Sequence, residues 1–167
     1  LLFTSLLSSV SLNAQDTKKV KWVTFEEAVK LNENKPKMIF VDVYAEWCGP
    51  CKMMDKNTFS DPAVAEMLNK YFYPVKFNAE STDPVNFSGH TFTYDKQNKV
   101  HQLAIAILQG KMAYPSIAYM DGDNQLLTVV PGFQKPDDIK PILTYFGEGH
   151  YKTITWNDYM AQNAVKK

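Results

Sequence analysis

The stretch MIFVDVYAEWCGPCKMM, residues 38–54, decides how the rest of the chain is interpreted. It contains Cys48 and Cys51, the only two cysteines in the sequence. An apolar, β-branched run precedes the pair, and a segment typical of a helix follows it. Two thiols three positions apart at such a junction suit a two-electron redox couple. The stretch therefore predicts a redox-active dithiol on an α/β framework.

The overall composition is that of a single globular domain. The 167 residues are 45% hydrophobic and 13% aromatic, which suffices for a packed core without cross-links. All 18 basic residues are lysines, and they are balanced by 18 acidic residues. Because a nucleic-acid binder would show a basic stripe, we do not expect nucleic acid as a partner.

The first residues differ in kind from the charged sequence that follows them. Residues 1–14, LLFTSLLSSVSLNA, resemble the apolar region and cleavage zone of a secretory signal peptide. A buried N-terminal helix is the alternative. The run is too short for a membrane span, which needs roughly 20 apolar residues. We therefore expect a periplasmic or otherwise extracytoplasmic protein, with residues 15–167 as its domain.

Two other interpretations of the cysteine pair are weaker. A lone structural disulfide across so small a ring would restrict the unfolded chain only slightly. A zinc site would need two further ligands, and His90, His101 and His150 lack ligand-like spacing. We therefore expect no metal and no cofactor.

Periodicity and capping signals predict alternating strands and helices. Strands are expected at 20–23, 38–44, 73–78, 116–120 and 126–130, and a hairpin or loop insertion within 79–99. Helices are expected after the capping-box residue Thr24, from the cysteine pair through Met54, from Pro62 to Tyr71, and at 100–109, 138–146 and about 155–158. This order predicts a mixed central β-sheet with helices on both faces.

The two thiols are expected to have different roles. A helix N-terminus stabilises a thiolate, so Cys48 is the predicted attacking thiol, exposed beside Trp47. Cys51, one turn into the helix, is the predicted buried resolving thiol. Pro50 restricts the turn between them and thereby biases the stability of each redox form.

The segment FVDVYAEWCGPCKMM closely resembles the active site of the thioredoxin family. The resemblance implies the thioredoxin fold, a three-layer α/β/α architecture, over roughly residues 37–146. It also implies that Asp42 helps to deprotonate Cys51 and that Lys76 pairs with Asp42. Burial in an apolar strand would by itself raise the pKa of Asp42, and a raised pKa would suit this carboxylate to act as a general base. The alternatives are a solvent-exposed Asp42 at a strand edge and a surface Lys76.

The resemblance further implies a surface that binds the substrate chain. Tyr114-Pro115 matches the cis-proline that packs against the dithiol, and Gly132 matches a glycine that lets partner chains approach. The implied substrate-binding residues are Trp47, Gly49, Pro50, Tyr114, Pro115 and Gly132. A trans proline that starts an edge strand and a plain turn glycine remain open as alternatives.

Parts of the chain depart from simple thioredoxins. Lys56 stands where thioredoxins have a helix-kinking proline, and CKMMDKNTFSDPAVAEML instead resembles the C-terminal thioredoxin-like domain of the membrane disulfide reductase DsbD. An insertion at about 80–112 and an extension at about 147–167 have no counterpart. Phe87, Tyr94 and His101 could line a partner groove, although packing is the favoured interpretation.

These observations predict an exported thiol–disulfide oxidoreductase that reduces protein disulfides. Its expected partners are protein disulfide substrates and a membrane-embedded electron donor. Two alternatives stay open, a net oxidase or isomerase and a non-catalytic module that holds a chain in the thioredoxin groove. The substrate, the donor and the oligomeric state are not specified by the sequence.

Overall fold

Strand β1, whose apolar run is interrupted only by Asp42, lies inside a four-stranded sheet in a computed structural model that describes residues 19–164. The strands are β1 (Met38–Tyr44), β2 (Phe72–Asn78), β3 (Val85–Phe87), β4 (His90–Phe92), β5 (Tyr94–Asp95), β6 (Val100–His101), β7 (Ser116–Met120) and β8 (Leu126–Pro131). The helices are α1 (Phe25–Asn34), α2 (Gly49–Asn57), α3 (Pro62–Tyr71), α4 (Gln102–Ile107), α5 (Pro136–Gly147) and α6 (Trp156–Ala164).

The central sheet is mixed, as the order of elements predicts. Its strand order is β2-β1-β7-β8, with β1 parallel to β2 and antiparallel to β7. Helices α2 and α3 form the crossover between the two parallel strands, and a turn at 121–125 joins β7 to β8. This topology places the end of β1, where the cysteine pair follows, next to the ends of β2 and the start of β7.

Alternation along β1 divides the core between the two faces of the sheet. Ile39, Val41 and Val43 pack in a cluster that includes residues of α1 and α4. Phe40 packs in the opposite cluster, with residues of α2, α3 and α5. Asp42 alternates with Val41 and Val43, so its side chain lies on the face that α2 and α3 cover.

Local signals at the helix starts are confirmed. Thr24 and Glu27 form the expected capping box at α1, and Asp61 caps α3 with bonds to two backbone N–H groups. The predicted strand at 20–23 is wrong for most of its length. Only Val23 pairs, through a single parallel bridge to Val75.

The insertion between β2 and β7 contains the largest difference from expectation. The β3–β4 hairpin forms within 79–99 as predicted. The expected helix at 100–109 begins only at Gln102, because Val100 and His101 pair with Tyr94 and Asp95 in a second hairpin. Pairing within this short hairpin thus overrides the helical pattern at its first two residues.

The C-terminal part packs on the face of the sheet that carries α3. Helix α5 begins at Pro136, two residues before the predicted start, and tolerates Pro141 in its interior. A 3-10 turn (His150–Lys152) leads to α6, whose Tyr159 is buried. The predicted leader at 1–14 lies outside the described residues. Within residues 19–164, no helix combines the length and apolar character that a membrane crossing requires.

Candidate active site

Cys48 and Cys51 form a disulfide at the N-terminus of α2, with Cα atoms 5.3 Å apart. Cys48 is the N-cap residue, and its Sγ accepts a hydrogen bond from the Cys51 backbone N–H at 3.1 Å. Pro50 lies in the first turn, where a missing N–H leaves no helical bond unmade. In the reduced protein, the same N–H group and helix dipole favour the thiolate of Cys48.

The expectation of an exposed Cys48 is wrong in this disulfide form. Only 2% of Cys48 is accessible, and Cys51 is equally buried. Both cysteines pack with Ala45, and the rings of Tyr44 and Tyr114 contact this cluster. Trp47, by contrast, is 67% exposed. The disulfide is therefore buried, whereas the neighbouring indole is open to solvent.

Asp42 is the buried carboxylate of the site. It is 1% exposed, which rules out the solvent-exposed alternative. Its Oδ2 accepts a hydrogen bond from Lys76 Nζ at 3.2 Å, whereas the buried Oδ1 has no partner among the described residues. Burial raises the pKa of Asp42 to about 6, and the Lys76 charge opposes that rise.

Asp55 completes this charged group and was missed by the sequence reasoning. Its carboxylate forms a short contact with Lys76 Nζ, so the lysine is shared by two acids. Asp55 follows Cys51 by four positions on α2, which places both on one face of the helix. That spacing was the available signal. The negative charge of Asp55 further raises the pKa of Asp42.

Lys76 occupies a half-buried site rather than the surface. Its side chain is 23% exposed and its ammonium lies 4.9 Å from the centre of the Tyr44 ring. Residue 76 stands opposite Asp42 in the β1–β2 register, which explains the pairing.

Tyr114-Pro115 precedes β7 and its peptide bond is cis, as the resemblance implies. The Gly132 N–H donates to the Pro115 carbonyl at 2.8 Å, so the two segments lie side by side. Gly132 has a φ of 94°, a positive value that glycine adopts readily because it has no Cβ. The structure therefore brings Gly132 beside Pro115, whose neighbour Tyr114 packs against the cysteine cluster.

A hydrogen bond holds the exposed indole in place. Trp47 Nε1 donates to Glu80 Oε1 at 2.8 Å, and the Trp47 ring meets the Tyr114 ring edge-on with centroids 5.9 Å apart. Glu80 lies just after β2, and nothing in the local sequence distinguishes it from other surface acids. Only the tertiary arrangement identifies it as part of the site.

The three aromatic residues suggested for a partner groove belong largely to the packing of the insertion. His101 is fully buried, its Nδ1 accepts from the Leu103 N–H, and its Nε2 lies 3.0 Å from the Asp83 carbonyl. Burial lowers the pKa of His101. Phe87 packs edge-on against a core phenylalanine, and Tyr94 pairs with His101 in the second hairpin. The described residues contain no cluster of His, Cys, Asp and Glu that could hold a metal ion.

Comparison with known proteins identifies the family. Residues 5–140 match the Thioredox_DsbH family, described as a protein of unknown function, DUF255. The chain belongs to the Thioredox_DsbH family. This membership confirms the thioredoxin-like relationship that the motif predicts, and the match includes the dithiol and the residues around it.

The Thioredox_DsbH chain is also similar to part of a curated protein. The thiol:disulfide interchange protein DsbD of Escherichia coli K12 is 31% identical over 97 residues. The match covers 57% of this chain and 14% of DsbD, so the chain spans a small part of that relative's length.

Solved structures show that the Thioredox_DsbH chain has the thioredoxin fold. A thioredoxin-fold protein from Helicobacter pylori has a TM-score of 0.59 at 16% identity, over 77% of this chain and 81% of that one. A thioredoxin from Thermus thermophilus has a TM-score of 0.57 at 18% identity, over 79% and 95%. The protein is thus a thioredoxin-fold member of the Thioredox_DsbH family with one Cys48–Cys51 pair.

Proposed function

We propose that the protein is an exported protein-disulfide reductase that works by dithiol–disulfide exchange. The observation that carries the proposal is the Cys48–Cys51 disulfide at the N-terminus of α2, on an α/β framework with a buried Asp42. Cys48 is the proposed nucleophile and Cys51 the proposed resolving thiol. No cofactor takes part, because the two sulfurs carry both electrons.

The proposed reaction has two exchange steps. The Cys48 thiolate attacks one sulfur of a substrate disulfide, forms a mixed disulfide and releases the other substrate sulfur, which takes up a proton. Cys51 then loses its proton and attacks Cys48 Sγ, which expels the second substrate sulfur as a thiolate. Two electrons pass to the substrate, and the protein returns to the Cys48–Cys51 disulfide.

We assign to Asp42 the acceptance of the Cys51 proton. A carboxyl with a pKa of about 6 is largely ionised at neutral pH yet basic enough to take up a proton. Lys76 positions this carboxylate and keeps it ionised. The proposed substrate-binding surface consists of Trp47, Gly49, Pro50, Tyr114, Pro115 and Gly132.

The direction of the reaction and its location belong to the same proposal. The partial similarity to DsbD, named a thiol:disulfide interchange protein, supports exchange with another dithiol protein. The composition of residues 1–14 supports export, and residues 15–167 are the proposed domain. Outside the cytoplasm, a membrane-embedded dithiol protein is the proposed donor of electrons.

Insulin reduction with dithiothreitol as donor tests the proposal. The wild-type protein should accelerate precipitation of the insulin B chain, and Cys48→Ser should abolish that effect. Cys51→Ala should accumulate mixed disulfides through Cys48, whereas the Cys48→Ser, Cys51→Ala double variant should capture nothing covalently. A double variant that still holds the same partners would instead identify a binding module.

A reduction potential measured against glutathione decides the direction. A value near that of reducing thioredoxins, about −270 mV, supports a reductase. A value near about −120 mV, typical of strong oxidants, would contradict it. Fractionation of cells that express the full gene tests export, and a cytoplasmic protein would overturn that part.

A further inference from the structure

The insertion forms one wall of a groove beside the dithiol. A hollow of about 470 Å³ adjoins Trp47 and Tyr114, and Lys99 and Met112 of the insertion line its other side. A second hollow of about 620 Å³ extends from Met112 to Leu127 on β8. Because Met112 lines both, the two hollows adjoin at this side chain. Together they form a groove that borders Trp47 and Tyr114 at one end and strand β8 at the other.

The far end of this groove can pair with an extended chain. Strand β8 is an edge strand of the central sheet, so one side of its backbone has no neighbouring strand among the described residues. An extended peptide can add to such an edge through main-chain hydrogen bonds, while its alternate side chains enter pockets. Leu127 and Pro131 of β8 supply an apolar lining for those side chains.

The charges on the rim favour an acidic occupant. Lys99 lines the first hollow and Lys111 the second, and both residues are exposed. Neither ammonium takes part in an ion pair within residues 19–164. Of the described residues that line the two hollows, Glu80 is the one carboxylate, and it accepts the Trp47 hydrogen bond. Acidic side chains of a bound chain could therefore approach both lysines.

We propose that this groove binds an extended, acidic polypeptide segment that flanks the reacting cysteine of the substrate. Lys99 and Lys111 are the specificity-determining residues, and Met112 contacts the segment between them. The inference rests on the proposed reductase function and narrows its substrate class. Apolar contacts along β8 hold the chain, and the two lysines select for its charge.

Reduction of matched peptide disulfides tests the groove. Two extended peptides carry one cysteine in mixed disulfide with a chromophoric thiol and differ only in Asp or Lys at the flanking positions. A small aromatic disulfide without a peptide is the third substrate. We expect the wild-type kcat/KM to be about tenfold higher for the acidic peptide than for the basic one, with a smaller ratio at high salt.

Charge reversal at the rim should change only the peptide preference. In the Lys99→Glu, Lys111→Glu variant, the acidic-to-basic ratio should fall at least about tenfold. The small disulfide should be reduced at the wild-type rate, because neither lysine touches the sulfurs. The matched control is Lys30→Glu, Lys96→Glu, which makes the same change in charge at exposed sites outside both hollows. This control should keep the wild-type ratio.

The outcomes separate the two proposals. The groove proposal is wrong if both peptides are reduced at equal rates, or if the ratio is unchanged in the Lys99→Glu, Lys111→Glu variant. In either case, reduction of the small disulfide would still support the reductase function. An equal loss in the control variant also overturns the groove proposal, because net charge would then explain the effect. Failure of the wild-type protein to reduce any of the three substrates overturns the reductase function and the groove with it.

Discussion

Lys76 Nζ lies 3.2 Å from Asp42 Oδ2, and the two residues stand opposite each other in the parallel β1–β2 pair. The neighbouring cation does not fully compensate for burial of the carboxylate. Asp42 Oδ1 has no hydrogen-bond partner among the described residues, and the pKa of Asp42 is raised to about 6. This uncompensated carboxylate links the stability of the protein to its proposed chemistry.

Replacing Asp42 by Asn should stabilise the disulfide form above pH 6. The folded pKa of about 6 exceeds the usual 3.8, so the Asp42 contribution to stability is fully present below about pH 4 and is lost as pH rises through 6. At neutral pH the buried, ionised Asp42 therefore lowers the free energy of unfolding by about 3 kcal/mol relative to its value below pH 4. Urea unfolding of the two proteins at pH 4 and pH 8 measures it.

The same variant should be a poorer reductase. Loss of the proton acceptor should slow resolution of the mixed disulfide by at least about tenfold. Asp137→Asn, at an exposed site on α5, is the matched control and should match wild type in both assays. Equal stability of Asp42→Asn and wild type at pH 8 would contradict the buried-charge account.

Changes at Lys76 and Asp55 should move the pH profile in opposite directions. Burial is the largest cause of the raised pKa of Asp42, Lys76 lowers that pKa and Asp55 raises it. The rate at which Cys51 resolves the mixed disulfide should depend on pH, and the midpoint pH of that dependence should rise in Lys76→Met and fall in Asp55→Asn. Stopped-flow decay of a mixed disulfide between pH 5 and 9 measures both. Midpoints that move in the same direction would contradict the shared-lysine geometry.

Removing the Glu80 carboxylate should make the disulfide easier to reach. Glu80→Ala deletes the acceptor for Trp47 Nε1, and the indole then loses the bond that holds it against Tyr114. We expect reduction of the Cys48–Cys51 disulfide by a small phosphine to become about two- to fivefold faster, an effect of about 0.5–1 kcal/mol, comparable to a single hydrogen bond. Trp47 fluorescence anisotropy should fall in parallel. Glu33→Ala, at an exposed site on α1, should change neither quantity.

Any side chain at position 147 should weaken the docking of the C-terminal segment. A Cβ at Gly147 would lie 2.5 Å from the ring of Tyr71, so this ring or α5 would have to move. Gly147→Ala should lower the free energy of unfolding by about 1–3 kcal/mol. In a Tyr71→Ala background the ring is absent, and the added Gly147→Ala should then cost less than about 0.5 kcal/mol. Additive costs in the double variant would contradict the steric account.

Much of the framework follows from local patterns. The apolar run of β1, the capping box at Thr24 and the Asp61-Pro62 helix start each depend on neighbouring residues, and each was predicted. Val100 and His101 were misassigned because their apolar, helix-like pattern does not encode the pairing with Tyr94 and Asp95. Their hairpin partners, five and seven positions earlier in the chain, decided their conformation.

The candidate site likewise has some features that contiguous residues determine and others that depend on tertiary contacts. The spacing of Cys48 and Cys51 and their place between a strand and a helix follow from the sequence, because both depend on contiguous residues. The tertiary structure alone decides the packing of Tyr114 against the cysteine cluster, the sharing of Lys76 by two carboxylates and the bond from Trp47 to Glu80. Each joins residues far apart in the chain, and their meeting depends on β-sheet register and helix packing rather than on local propensity.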